Sequence, residues 1–148
     1  MYFRSDRAGV PKDVWRIPAA GGSEERVTHG GGTFTGESAD GETLFYTRAI
    51  DRAPLMARSL GGGSERKVLE CVPVQGFATG PGGVYHFGCE SGPSGTPLYL
   101  LDPATGRDRL LGNLERAAGL TVSPDGKTIL YAKEVGEGSD LMMIENFR

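Results

Sequence analysis

The side chains best suited by type to do chemistry are His29 and His86, Cys71 and Cys89, and the hydroxyls of Ser91, Ser94 and Thr96. A histidine becomes a general base or a metal ligand when a carboxylate orients it or a second ligand lies at a suitable spacing. His29 falls in Thr28-His29-Gly30-Gly31-Gly32, a passage between strands, and His86 lies between Tyr85 and Phe87, where packing is its expected task. Neither has the i, i+4 or carboxylate spacing of a metal site. Cys71 and Cys89 stand 18 residues apart with no CxxC, and are expected to be free, partly buried strand residues. A disulfide would need them on neighbouring strands and in an oxidising compartment. The hydroxyls sit in Glu90-Ser91-Gly92-Pro93-Ser94-Gly95-Thr96, which lacks the GxSxG elbow and reads as a flexible loop. The glycine runs at 30–32 and 61–63 precede no helix and no Gly-Lys-Ser/Thr, so they are not phosphate loops. No catalytic, cofactor or metal residue is therefore expected.

What remains is charge. Asp6, Arg7, Asp51, Arg52, Glu90, Glu137 and Asp140 are the candidate binding residues, able to hold a protein or small-molecule partner if the loops carrying them share one rim of a rigid scaffold. An ordinary solvated rim would look the same. Lys and Arg number 16 against 19 Asp and Glu, a formal charge of −3, and no basic stripe runs along the chain, so nucleic-acid binding is excluded. No apolar run approaches the length of about 18 residues that a membrane helix needs, and the first residues lack the blocks of a signal peptide.

The scaffold follows from a repeat. Glycine at 24 and proline at 9 imply many turns, while apolar residues stay evenly spread. Trp15, Met56, Tyr99 and Met142 mark equivalent places at spacings of 41, 43 and 43, and twelve residues after the first three come Val27, Val68 and Leu111. Glycine-bearing turns follow the first three markers at 19–23, 60–64 and 102–106, then the charged runs Glu24-Glu25-Arg26, Glu65-Arg66-Lys67 and Arg107-Asp108-Arg109, which suit exposed outer strands. A second hairpin precedes each, around Phe34, Phe77 and Leu120, turning at Ala39-Asp40-Gly41, Gly80-Pro81-Gly82-Gly83 and Ser123-Pro124-Asp125-Gly126.

Each unit is thus four antiparallel strands in about 42 residues, with no helical periodicity. A sheet that is apolar on both faces hides them only by packing radially beside copies of itself. The fold expected is all-β, a partial β-propeller of about three and a half four-stranded blades. Residues 1–32 supply strands B, C and D of one blade, counted from the axis outward. Residues 33–72 and 73–115 form whole blades, and 116–148 supply A, B and C of the last. On that division the two terminal sheets expose apolar faces and unpaired edges, a route to association.

The turn Ser123-Pro124-Asp125-Gly126-Lys127 before an apolar strand ending in Tyr131-Ala132 resembles the WD40-like repeat of TolB-type propellers, although Ala39-Asp40-Gly41 lacks the proline and residues 80–83 lack the aspartate. The ending Asp140-Leu141-Met142-Met143-Ile144-Glu145-Asn146-Phe147-Arg148 resembles the C-terminus of propellers carried by bacterial serine/threonine kinases and winged-helix regulators. That resemblance implies closure of the last blade by a strand from the N-terminal end, so further N-terminal blades, or a second chain, are expected to complete the ring. It also implies a binding or sensor module in a larger bacterial signalling protein. A peptidase-associated propeller or propeller lyase, and a TolB-like periplasmic scaffold, are the alternatives.

Overall fold

The computed structural model describes residues 1–136 and 138–145, in fourteen strands and, among the described residues, no helix. β1 (Tyr2–Ser5), β2 (Asp13–Arg16) and β3 (Glu25–Arg26) form the first sheet. β4 (Thr35–Glu37), β5 (Thr43–Tyr46), β6 (Ala53–Ser59) and β7 (Arg66–Val72) form the second. β8 (Phe77–Gly80), β9 (Gly83–Phe87), β10 (Thr96–Asp102) and β11 (Arg107–Leu114) form the third, and β12 (Ala117–Val122), β13 (Thr128–Val135) and β14 (Gly138–Glu145) the fourth. Every sheet is an antiparallel meander with its strands laid side by side in chain order.

The marker residues keep one register. Trp15 lies opposite Phe3, Met56 opposite Tyr46, Tyr99 opposite His86 and Met142 opposite Tyr131. Because side chains alternate between faces, this register sends the residues flanking each marker to the opposite face, toward the following sheet where there is one. Three cores result, one per junction. Val14 and Val27 meet Leu44 and Tyr46 between the first two sheets. Phe45, Leu55, Ala57 and Val72 meet Phe77, Val84 and Leu101 at the second junction, and Tyr85, Phe87 and Leu98 meet Ile129 and Tyr131 at the third. Burying a side chain of this size is worth about 1.5–3 kcal/mol, so each junction is a core in its own right.

The inner strands show that the packing is radial. β8 lies against β4 on one side and β12 on the other, so the first strands of successive sheets converge on a common axis. Glycine permits the approach, since a Cβ on Gly36 of β4 would stand 2.8 Å from Thr79 Cγ2 of β8. Two sheets stacked as a sandwich would not bring these strands together.

The turns that join the first two strands of the second and fourth sheets are chemically the same. Ser38 and Ser123 each donate a hydroxyl hydrogen bond to the aspartate two residues on, at 2.5 and 2.6 Å, and accept one from the backbone N–H five residues on, at 2.9 Å. Proline is absent from the first turn without loss of this geometry, because the hydroxyl and carboxylate carry it.

A buried carboxylate fastens the first sheet to the passage that leads out of it. Asp13, fully buried, accepts hydrogen bonds from Arg26 Nε at 2.9 Å, the Gly31 N–H at 2.8 Å and Thr28 Oγ1 at 3.2 Å, so it ties the start of β2 to the passage leading into β4. Burial pushes its carboxyl up, but the Gly31 N–H, the Arg26 guanidinium and the Thr28 hydroxyl outweigh that and hold it below its ordinary value of 3.8. A carboxyl lowered by folding contributes stability that is complete above its unfolded pKa and is lost as pH falls through the folded one. Asp13→Asn is expected to cost about 2–3 kcal/mol at neutral pH. Its stability should also vary less than that of the parent between roughly pH 5 and pH 2, read by urea unfolding at each pH.

Candidate functional site

The loops β1–β2, β5–β6 and β9–β10 leave the same end of their sheets, the end where each outer strand passes to the next inner one. Asp6, Asp51, Arg52 and Glu90 lie exposed on them. Two of these groups have partners within their own hairpins. Asp6 is 3.9 Å from Lys12, and Asp51 Oδ1 accepts the backbone N–H of Arg52 at 2.7 Å. Asp140 falls within β14, opposite Lys133 in register, and Glu137 lies outside the described residues.

Arg7 leaves the rim. Its guanidinium lies over the rings of Phe3, at 5.4 Å, and Trp15, at 5.1 Å, and pairs with Glu24. Cation–π contacts of this kind contribute about 0.5–1 kcal/mol each at exposed sites, enough to hold the side chain down. His29 sits exposed in the passage between β3 and β4.

The expectation of free cysteines is overturned. Cys71, near the end of β7, and Cys89, just past β9, form a disulfide with Cα atoms 6.0 Å apart. The two positions are remote in sequence and in different sheets, and only the packing of the second sheet on the third brings them together. The bond therefore spans a blade junction at the same rim as the charged loops.

His86 does pack, as its neighbours suggest, stacking on Tyr99 with centroids 5.3 Å apart. It also has the carboxylate partner that short-range spacing does not reveal. Nε2 lies 3.1 and 3.2 Å from the two carboxylate oxygens of Asp108, on β11, and Nδ1 faces the Phe87 carbonyl oxygen at 3.3 Å. Both ring nitrogens are thus occupied by protein acceptors, which leaves neither turned to a substrate as a base. The missed signal was present in the repeat. The residue nine positions after each complete marker is acidic: Glu24, Glu65 and Asp108. Each lands on its sheet's marker face. Glu24 pairs with Arg7 over Phe3 and Trp15, and Asp108 with His86. Glu65 pairs with Arg48 and lies 3.6 Å from Arg58. Burial, reinforced by the nearby Glu65 carboxylate, pushes the Tyr46 hydroxyl up to about 12 against the opposing pull of Arg48. These acids are fasteners of the outer strand. Asp108→Ala is expected to cost about 1–2 kcal/mol and to loosen the Tyr99 stack, read by thermal unfolding followed through tyrosine near-UV dichroism.

Among the described residues no group of three or more His, Cys, Asp or Glu side chains could hold a metal ion, and no helix is long and apolar enough to cross a membrane. No family model matches the chain, and no curated protein matches it. Solved structures do. TolB from Acinetobacter baumannii matches 99% of this chain at 18% identity with a TM-score of 0.72, and a putative TolB from Agrobacterium tumefaciens matches 97% at 10% identity with a TM-score of 0.76. The fold is that of a TolB-type β-propeller. A gluconolactonase from Xanthomonas campestris shares this propeller geometry less closely, over 95% of the chain at 16% identity with a TM-score of 0.60. The chain spans 38%, 56% and 46% of the lengths of these three proteins, so it corresponds to a part of each propeller.

Proposed function

We propose that this propeller segment is a non-catalytic binding module of a larger bacterial protein, gripping a protein or small-molecule partner through the charged loops of one rim. The observation that carries this reading is the placement of Asp6, Asp51, Arg52 and Glu90, exposed at one end of a sheet stack that three buried cores and a disulfide hold rigid. Rigid scaffolds that present variable loops at one end are built for recognition, because the loops bind without ordering the body beneath them.

Within that reading, the disulfide favours the TolB-like scaffold of an oxidising compartment such as the periplasm over the arm of a cytoplasmic signalling protein. Thiols in the cytosol are kept reduced, whereas a structural disulfide persists where oxidation is maintained.

The test uses the full-length protein in cells, with a photo-crosslinking residue placed in turn at Asp51, at Glu90 and, on the opposite end, at Asp125. Adducts to one partner from the first two positions and none from the third are the expected result. Equal labelling at both ends would overturn the rim assignment. Turnover of a gluconolactone by the purified protein, with or without added divalent cations, would overturn the non-catalytic one.

A further inference from the structure

Between the first two sheets, at the end away from the rim loops, lies a small cleft whose charges do not balance. Arg16, Glu25 and Val27 line it from the first sheet, and Arg58 and Ser59 line it from the second, beside the β6–β7 turn. The register turns both arginines inward. Arg16 lies opposite Tyr2 and Arg58 opposite Leu44, and both of those neighbours pack in the core of this junction. The cleft has a volume of about 60 Å³. That is room for about four to six water molecules, enough for a small inorganic ion and too little for a nucleotide or a sugar.

Three guanidinium groups face two carboxylates around it. Arg16 holds Glu25 through a single oxygen, Oε2, with Nε at 2.9 Å and Nη2 at 2.8 Å. Glu65 is shared by two arginines, pairing with Arg48 while Arg58 Nη1 stands 3.6 Å from its Oε1. Arg26 also borders the cleft, but Asp13 neutralises it. One positive charge is left over, and it falls on Arg58. That side chain is only 23% exposed and, among the described residues, its guanidinium makes no hydrogen bond. A group with five N–H donors, taken this far from water, calls for an acceptor. Beside it the Ser59 hydroxyl accepts the Gly61 N–H at 3.3 Å and keeps its own proton to donate.

We propose that this cleft binds a small tetrahedral oxyanion of the phosphate or sulfate type, held by Arg58 and Ser59 on one wall and by Arg16 on the other. A tetrahedral ion presents oxygens to both walls at once, whereas a carboxylate presents its two to one side. Glu25 is the competitor. Its side chain is 62% exposed, so its pair with Arg16 is a surface pair of small worth, and a doubly charged ion displaces it. Both walls belong to a junction that the chain closes by itself. The site lies at the opposite end of the sheets from Asp6, Asp51, Arg52 and Glu90, and it stands apart from the rim reading.

The test is the phosphorus NMR line width of inorganic phosphate in the presence of the full-length protein, at fixed ionic strength in chloride. Wild type is compared with Arg58→Gln, Glu25→Gln and Lys127→Gln. Wild type is expected to broaden the line saturably. Arg58→Gln should weaken binding about tenfold or more, through loss of the charge-assisted hydrogen bonds. Glu25→Gln should tighten it about two- to fivefold by removing the competing carboxylate. Because that variant moves in the opposite direction, a mere loss of fold in Arg58→Gln cannot imitate the pattern. Lys127→Gln removes the same unit of charge from an exposed position on the fourth sheet and should leave binding unchanged. Sulfate should displace phosphate, and acetate should not. Equal weakening in Arg58→Gln and Lys127→Gln, the mark of diffuse attraction, overturns the proposal, as does a Glu25→Gln variant that binds no tighter. Acetate that competes as well as sulfate overturns the ligand class, and the absence of saturable broadening by wild type overturns the site outright.

Discussion

Replacing Cys71 and Cys89 together by serine is expected to lower the unfolding free energy by about 3 kcal/mol, the chain-entropy value for cross-linking positions 18 residues apart. For a domain of this size that loss corresponds to a fall of roughly 6–12 °C in midpoint. Wild type in reducing agent should match the serine variant within error, and the variant itself should be indifferent to reductant. Calorimetry of the four samples checks this. A reduced wild type as stable as the oxidised protein would show that the noncovalent packing of the second sheet on the third supplies all the cohesion there.

Gly83→Ala is expected to be more damaging than its one methyl group suggests, with a loss of about 3 kcal/mol or more. Gly83 opens β9 at φ +130°, a region that alanine avoids. A Cβ there would be driven into the backbone carbonyl oxygen of Leu101, which cannot rotate away as a side chain would. Gly112 provides the control. A Cβ on it meets nothing within 4 Å and its φ is not positive, so Gly112→Ala should change stability by no more than about 0.5 kcal/mol. Urea unfolding of the pair separates backbone conflict from the general effect of filling a glycine.

The architecture was legible because a propeller repeats its junction, and a repeated junction imposes a period on the sequence. Trp15, Met56, Tyr99 and Met142 could be matched by spacing before any contact was known, and all four fall opposite the same position of the neighbouring strand. The turn at residues 38–42 was harder, since the missing proline made it look divergent, yet Ser38 and Asp40 reproduce the bonds of Ser123 and Asp125. What stayed hidden depends on distances between strands and not along them. Asp108 reaches His86 across β10 from 22 residues away, a separation with no local pattern to mark it. Cys71 and Cys89 meet only once two sheets are packed. Arg7 looked like a rim charge because its loop is on the rim, and nothing in its immediate neighbours foretold that two aromatic rings would draw it down.

The three cores each link one sheet only to the sheet after it. Cohesion in such a stack is a sum over neighbours, so the protein has no single centre whose loss dissolves everything at once. Of the four sheets the middle two are clamped from both sides, so amide protons should exchange slowest in β5 and β9 and fastest in β1 and β14. Damage at one end would then fray that end and leave the far junctions standing.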